Sequence, residues 1–295
     1  MKYNYENIVA TGSGEGVGIV VPEDIKLLQE KLFENLSYLA DFLDSHGLSY
    51  CLSAGTCLGA VRDHDFIPWD DDLDVAMLRK DFNKLFEIWE SEGDKERFTL
   101  CRTTDDFCAG VPIGLLRNNT TTYIRAFEKN NPNVAHGVKI DIEPYDEISE
   151  GYISRRLQIV FGQLYALFLT QRKPNQCSKL LSFGASILLN VFRGKRMRNL
   201  IIRICGKQAM KYNNGGHEKV AINGVDGIMY KQDILNSSSM LFHGKIFRVP
   251  GRYHDYLCRY GDYMQKPPVE SRTPKDTPVF YDLNKPFEEY RGIKF

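Results

Sequence analysis

The sequence predicts a mixed α/β fold of the α+β kind: a mixed sheet with helices, carrying a separate basic helical subdomain. Three observations point there. A leucine stripe with helical spacing runs between Pro22 and His46. A series of short, β-compatible apolar runs follows from Leu48 to Ile142, separated by turn-forming and helical segments. A long stretch, Gly151–His217, then combines apolar runs with Lys and Arg and contains no acidic residue.

Taken in order, the first 20 residues are polar and Gly-rich and read as a loose lead-in. Gly12, Gly14, Gly16 and Gly18 alternate without the G-x-G-x-x-G register, and no strand pattern precedes them, so a dinucleotide loop is not expected. From Pro22 to His46, Ile25, Leu28, Leu32, Leu36, Leu39 and Leu43 step by threes and fours. Pro22 suits a first helical turn and Gly47 a C-terminal stop, which together predict one amphipathic helix. Leu48–Ser53 reads as a strand and Gly55–Val61 as a turn opening a helix. Leu73–Leu78 is a strand and Arg79–Glu90 a helix. Further strands are expected at Arg97–Arg102, Val111–Leu116, Thr121–Ala126 and Val138–Ile142. In Gly151–His217 three helices are expected, broken near Pro174 and Gly194. A β-like stretch at Leu241–Val249 follows, with a turn at His243-Gly244. A short helix at Tyr253–Tyr260 and a Pro-rich tail close the chain. The resulting division is a lead-in (1–20), a core (21–150), the basic subdomain (151–217) and a C-terminal segment returning to the core (218–295).

Composition excludes several classes. At 295 residues with 43% hydrophobic and 26% charged residues, the chain is ordinary globular protein, long enough to bury a core without disulfides or structural metals. Basic and acidic residues balance at 38 each. Overall charge therefore points to no polyanionic partner, and nucleic-acid binding is not expected. The seven cysteines are odd in number and form no C-x-x-C pair, which fits free thiols in a reducing compartment. The opening residues lack the apolar core of a signal peptide, and no run reaches the ~18 apolar residues of a spanning helix. Secretion and bilayer crossing are therefore not expected.

The segment most informative for chemistry is Ser53–Met77, SAGTCLGAVRDHDFIPWDDDLDVAM. Side chains alternate along a strand, so a strand here puts Asp72 and Asp74 on one face, about 7 Å apart, and Leu73 and Val75 on the other. Paired carboxylates repel unless a cation lies between them, and oxygen ligands of this kind suit Mg²⁺ or Mn²⁺. Asp70 extends the same face, whereas Asp71 is expected opposite or in the preceding loop. Upstream, the glycine of the Gly55-Thr56 turn lets backbone N–H groups approach phosphate oxygens at a helix start. A second acidic strand, Val138–Glu143, holds Asp141 between Ile140 and Ile142, a costly place for a carboxylate unless a metal is near. Three carboxylates from two strands and a glycine turn make a two-metal phosphoryl-transfer site.

This order of features, a small-residue turn, D-x-D on the next strand and a third Asp on a later one, resembles the polymerase-β-like nucleotidyltransferase fold. The wording GTCLGAVRDHDFIPWDDDLDV is similar to the G-T-L-L-G-x-x-R…IPWDDDIDI signature of the LicD family. FHGKIFRVPGRYHDYLCRYGDYMQKPP resembles that family's closing block, which ends in YGDxM-x-x-PP. The resemblance implies transfer of a phospho-alcohol group from a CDP-alcohol donor, CDP-choline favoured, to a hydroxyl of a glycan or its lipid-linked precursor. Fukutin-related protein, a ribitol-phosphate transferase of the same wider group, keeps other alcohols in view. By position, Asp72 and Asp74 bind metal and Asp141 is the third carboxylate; Asp70 is a further ligand on the same face, and Asp141, or less readily Glu143, is the catalytic base that takes the acceptor's proton. Gly55, Thr56 and Arg62 meet the donor's phosphates, Tyr260 lines the site, and Trp69 either stacks on the donor or packs under the acidic loop. Asp65 stands where a glycine is common and Glu143 where an apolar residue is usual, and the tail lacks the family's histidine. The alternatives are a nucleotidyltransferase releasing diphosphate and a silent membrane-bound scaffold. The basic subdomain reads either as helices packed on the core or as an anchor on an anionic membrane surface, which sets the expected location at the inner, cytoplasmic face of the cell membrane.

Overall fold

The computed structural model describes residues 23–104, 110–125, 128–129, 131, 133–173, 178–274 and 278–293. The glycines of the lead-in, Pro22, Pro174, Ala126, Cys108 and Cys177 lie outside the described residues. The chain forms two compact units. One takes its residues from 1–101, 115–142 and 232–295, and the other from 102–114 and 143–231. The expected mixed α/β class is what the described residues show.

In the first unit, helix α1 (Glu23–Ser45) leads into β1 (Tyr50–Leu52), α2 (Ala54–Arg62), β2 (Asp74–Leu78), α3 (Arg79–Glu92), β3 (Phe98–Cys101), β4 (Gly114–Asn118), β5 (Thr122–Arg125) and the start of β6 (Lys139–Glu147). The strands lie in the order β1-β2-β6-β4-β3. β1 and β2 are antiparallel with Leu52 opposite Val75, and β3 and β4 are antiparallel with Cys101 opposite Leu115. The leucine stripe of α1 is the core side of that helix: Leu32, Leu36, Leu39 and Leu43 are fully buried. Each such side chain contributes roughly 1.5–3 kcal/mol by leaving water. Two buried amides fix the register of α1. Asn35 Nδ2 donates to the Val138 carbonyl at 3.1 Å, and Asn118 Nδ2 donates to Asn35 Oδ1 at 2.9 Å.

The second unit holds the rest of β6, helices α4 (Tyr152–Thr170), α5 (Lys179–Val191) and α6 (Lys195–Ala209), and strands β7 (Lys219–Ile222) and β8 (Asp226–Tyr230). With residues 102–114, it takes in Glu143–Glu147 of β6 and the β7–β8 hairpin as well as the helices. Gln158, 1% exposed, ties this unit together: Nε2 donates to the Glu147 and Ala209 carbonyls, both at 2.9 Å, and Oε1 accepts from the Ser149 N–H. The chain returns to the first unit with α7 (Lys231–Leu235), the hairpin β9 (Ser238–Phe242) and β10 (Lys245–Val249), and α8 (Tyr253–Leu257) with a 3₁₀ turn at Cys258–Tyr260. β11 (Pro278–Asp282) then pairs with β5.

Three expectations need correction. β2 begins at Asp74, not Leu73, so Asp72 lies in the loop before the strand. The expected strand Val111–Leu116 lies further on, at Gly114–Asn118. The Pro-rich tail contains β11, admitted because Pro278 is the strand's first residue. The turn at His243-Gly244 is present, with φ of 47° and 82°.

Candidate active site

Local sequence brings β1, α2 and β2 together around one point. Ser53 N–H donates to the Asp74 carbonyl at 3.0 Å, and Asp74 N–H donates to Thr56 Oγ1 at 2.8 Å. Thr56 is therefore buried and committed to holding the head of β2 against α2, while Gly55 beside it is half-buried. Ala54 takes a left-handed φ of 44°, and its N–H donates to Tyr256 Oη at 2.8 Å, which docks α8 on the helix start.

The loop from α2 to β2 folds back over its own helix. A Cβ on Gly59 would lie 2.6 Å from the Asp65 carbonyl oxygen and 3.2 Å from the Ile67 amide, so only glycine permits this approach. Gly59→Ala is expected to cost about 1–3 kcal/mol by overpacking. Gly184→Ala, in a helix with open space around it, should be neutral or slightly stabilising. Urea unfolding midpoints of the two variants check this.

Gln29 fixes the far end of the loop, its Nε2 donating to the Ile67 carbonyl at 3.2 Å and the Asp70 carbonyl at 3.0 Å. The result is a cluster of carboxylates. Asp70, Asp71 and Asp72 each bring one oxygen within 4.8 Å of the others, and among the described residues this is the group of three able to hold a metal ion. Asp71 thus joins the cluster rather than pointing away, because a loop, not a strand, sets its direction. Asp74 and Asp141 lie outside this group. At an effective dielectric of 20, unit charges at such distances repel by roughly 3–4 kcal/mol per pair. Asp70 and Asp71 are each only 6% exposed, so water screens them poorly. A hard, oxygen-coordinated divalent cation fits this donor set.

Asp141 is placed beside the cluster by its backbone: its N–H donates to the Leu73 carbonyl at 2.9 Å, between Asp72 and Asp74 in sequence. Its side chain has a partner not foreseen. Lys139 Nζ, buried with its side chain, lies 2.9 Å from Asp141 Oδ1. The lysine offsets the cost of burying the Asp141 carboxylate, so that cost does not require a metal. Glu143 is half-buried on the same strand, within the second unit.

Arg62 is no surface arginine, with its side chain 4% exposed. Its Nε and Nη2 donate to Asp63 Oδ2 at 3.0 and 2.7 Å, and Lys266 Nζ lies 3.4 Å from Asp63 Oδ1. Trp69 is half-buried, with the Arg272 guanidinium 5.3 Å from its ring centroid. Tyr260 is exposed. Arg259 covers the Tyr256 ring at 3.9 Å and donates from Nε to the Tyr256 carbonyl at 2.8 Å. Lys266, Arg272 and Arg259 went unnoticed in the sequence. Their signal is present, since Arg259 and Lys266 lie within the closing block FHGKIFRVPGRYHDYLCRYGDYMQKPP and Arg272 lies just after it.

The arrangement is a cluster of carboxylates, with the buried Lys139 and Arg62 side chains paired to Asp141 and Asp63, while Arg272 is half-buried and Lys266 and Arg259 are exposed. A family model described as LicD/FKTN/FKRP, nucleotidyltransferase domain, matches residues 47–159, which span β1 through the whole of β6. That stretch of the chain is similar to the LicD-family nucleotidyltransferase domain. The chain is 28% identical over 266 residues to the lipopolysaccharide cholinephosphotransferase LicD of Haemophilus influenzae, covering 84% of this chain and 94% of that protein. Ribitol 5-phosphate transferase FKRP of Homo sapiens and that of Mus musculus each match at 34% identity over 61 residues, 21% of this chain and 12% of theirs. The LicD-family match covers the acidic loop and both strands that flank it.

Proposed function

We propose that this chain is a phosphotransferase of the LicD type. It moves a phospho-alcohol group, with phosphocholine favoured, from a CDP-alcohol to a hydroxyl of a cell-surface glycan or its lipid-linked precursor. The observation that carries the reading is the Asp70–Asp71–Asp72 cluster, inside the stretch that matches the family. The similarity to a cholinephosphotransferase over 94% of that protein's length supports the choice of phosphocholine. The reaction is placed at the cytoplasmic face of the cell membrane, where a lipid-linked acceptor would be met.

Asp70, Asp71 and Asp72 would hold Mg²⁺ or Mn²⁺, with Asp74 adjoining, and the bound ion supplies charge neutralisation for the donor's diphosphate. The chain's own residues position and exchange the proton. The acceptor oxygen attacks the phosphorus that carries the alcohol, the bond from that phosphorus to the bridging oxygen breaks, and CMP leaves. Asp141 accepts the proton of the attacking hydroxyl. Lys139, 2.9 Å from Asp141 Oδ1, holds that carboxylate oriented. Arg62, already aligned by Asp63, presents a guanidinium suited to phosphate oxygens, and Gly55 leaves the start of α2 open to close approach.

The test is incubation with a panel of CDP-alcohols and Mg²⁺, with and without glycan acceptors, following CMP. Acceptor-dependent CMP release from one CDP-alcohol is the expected result. Diphosphate release from a nucleoside triphosphate would replace this reading with a nucleotidyltransferase, and no turnover of either kind would favour a scaffold. In the same assay Asp141→Asn should lower the rate by at least ~10²-fold, the low end for a general base, and Glu143→Gln should be milder. Equal, small losses would move the base elsewhere.

A further inference from the structure

The second unit exposes an apolar surface that the proposed reaction does not use. Helix α5 is apolar on two opposite sides. Ala185, Leu188, Leu189 and Phe192 pack with Leu167 and Phe168 of α4. Leu180, Phe183, Ile187 and Val191, spaced by three and four, form a stripe on the other side. They are 81%, 64%, 46% and 65% exposed. A second apolar stripe left facing water is not what a helix packed on a core by one face ordinarily shows; such a helix keeps its opposite face polar. At 13 residues α5 is about 20 Å long, and no helix among the described residues is long and apolar enough to cross a membrane.

Charge decides what covers the stripe. Lys179 begins α5, and Arg193, Lys195 and Arg196 follow its end, all exposed. No Asp or Glu lies anywhere between Gly151 and His217. A second copy of the chain meeting this face about a twofold axis would bring the same patch against itself and set these cations against one another. An anionic lipid surface instead matches both features, taking the apolar stripe below its headgroups and the flanking cations among its phosphates.

We infer that α5 lies in the plane of an anionic membrane surface and seats the second unit there, with Leu180, Phe183, Ile187 and Val191 inserted. The experiment is co-sedimentation of the full chain with vesicles of phosphatidylcholine alone and of phosphatidylcholine with phosphatidylglycerol, over a salt series. Binding to the anionic vesicles that weakens as salt rises is expected, since screening shortens the attraction to about 10 Å at 0.1 M. Phe183→Ser with Ile187→Ser should abolish it. Replacing Lys179, Arg193, Lys195 and Arg196 with Gln should weaken it by roughly fivefold per residue, about 10²–10³-fold in all. All six positions are exposed, and unchanged circular dichroism checks that both variants fold.

Failure of the wild type to sediment at low salt overturns the inference. So does equal binding to neutral vesicles, or full binding by the serine variant. A wild-type dimer that the serine variant converts to monomer, without vesicle binding, assigns the face to a second copy instead. Vesicle binding is read without turnover, so it stands or falls separately from the proposed transfer.

Discussion

Asp72→Asn and Asp70→Asn are each expected to reduce turnover by at least about 10²-fold, and Asp71→Asn by as much. Residues that merely support a metal ligand cost 10–100-fold when changed, so removal of a charged ligand should cost no less. Asp71 is the informative position. If strand alternation organised the site, Asp71 would face away from Asp72 and its amide would be nearly silent. The loop geometry brings its carboxylate within 4.8 Å of both neighbours and makes it an equal member. Stability should move the other way. Without metal, neutralising one of three crowded carboxylates relieves repulsion, so each variant should unfold at the same or higher urea concentration than the wild type. Adding Mg²⁺ or Mn²⁺ should reverse that order, because a ligand at 100 times its Kd stabilises the folded protein by about 2.7 kcal/mol and the variants bind it weakly. Near-normal turnover of all three variants at saturating metal would remove the cluster from the reaction.

What could be read in the chain beforehand was what local chemistry dictates. The spacing of Leu32, Leu36, Leu39 and Leu43 placed α1 and named its buried face, because a helix repeats every 3.6 residues whatever it packs on. His243-Gly244 marked a hairpin, because two positive φ angles suit those residues. The same rule applies to the β7–β8 hairpin at Asn223-Gly224, with φ of 50° and 70°, but the weakly apolar strands on either side give it no hairpin pattern. The acidic run is legible as a group of neighbouring carboxylates, but its arrangement is not. Three consecutive aspartates before an apolar strand do not say where the strand begins. A difference of one residue decides whether Asp72 alternates with Asp74 or clusters with Asp70 and Asp71. The Lys139–Asp141 pair was hidden by another ambiguity: residues two apart share a face on a strand, but only the structure shows that the lysine turns onto the carboxylate instead of out to solvent. Contacts across long sequence separation, such as Ala54 to Tyr256, leave no local trace at all.

Glu128→Gln should be the most destabilising change away from the acidic loop, costing about 3–5 kcal/mol. Glu128, 2% exposed, sits between two buried arginines. Its Oε1 lies 2.5 Å from Arg117 Nη2 and 2.5 Å from Arg125 Nη2, and Arg125 Nε donates to Oε2 at 3.0 Å. An amide in its place would leave two guanidinium groups inside the first unit with no carboxylate between them. Burial by itself raises the carboxyl's pKa, and the charges and hydrogen bonds of Arg117 and Arg125 outweigh it, holding it down to about 2. Because the folded value is depressed, the unfolded chain takes up the proton first as pH falls. The stabilisation is therefore complete above about pH 4.5 and is lost progressively down to about pH 2. Urea unfolding at pH 7 and near pH 3 measures both effects. The wild type should lose stability between the two pH values, and the Gln variant should start lower and lose less. The consequence reaches the site through the sheet, since Arg117 belongs to β4, the strand next to β6, and the Asn118 N–H donates to the Val138 carbonyl at 2.8 Å just before Lys139 and Asp141. If the Gln variant matched the wild type at pH 7 within about 0.5 kcal/mol and kept its pH slope, the two arginines would be satisfied without Glu128, and the cluster would not be what braces that strand.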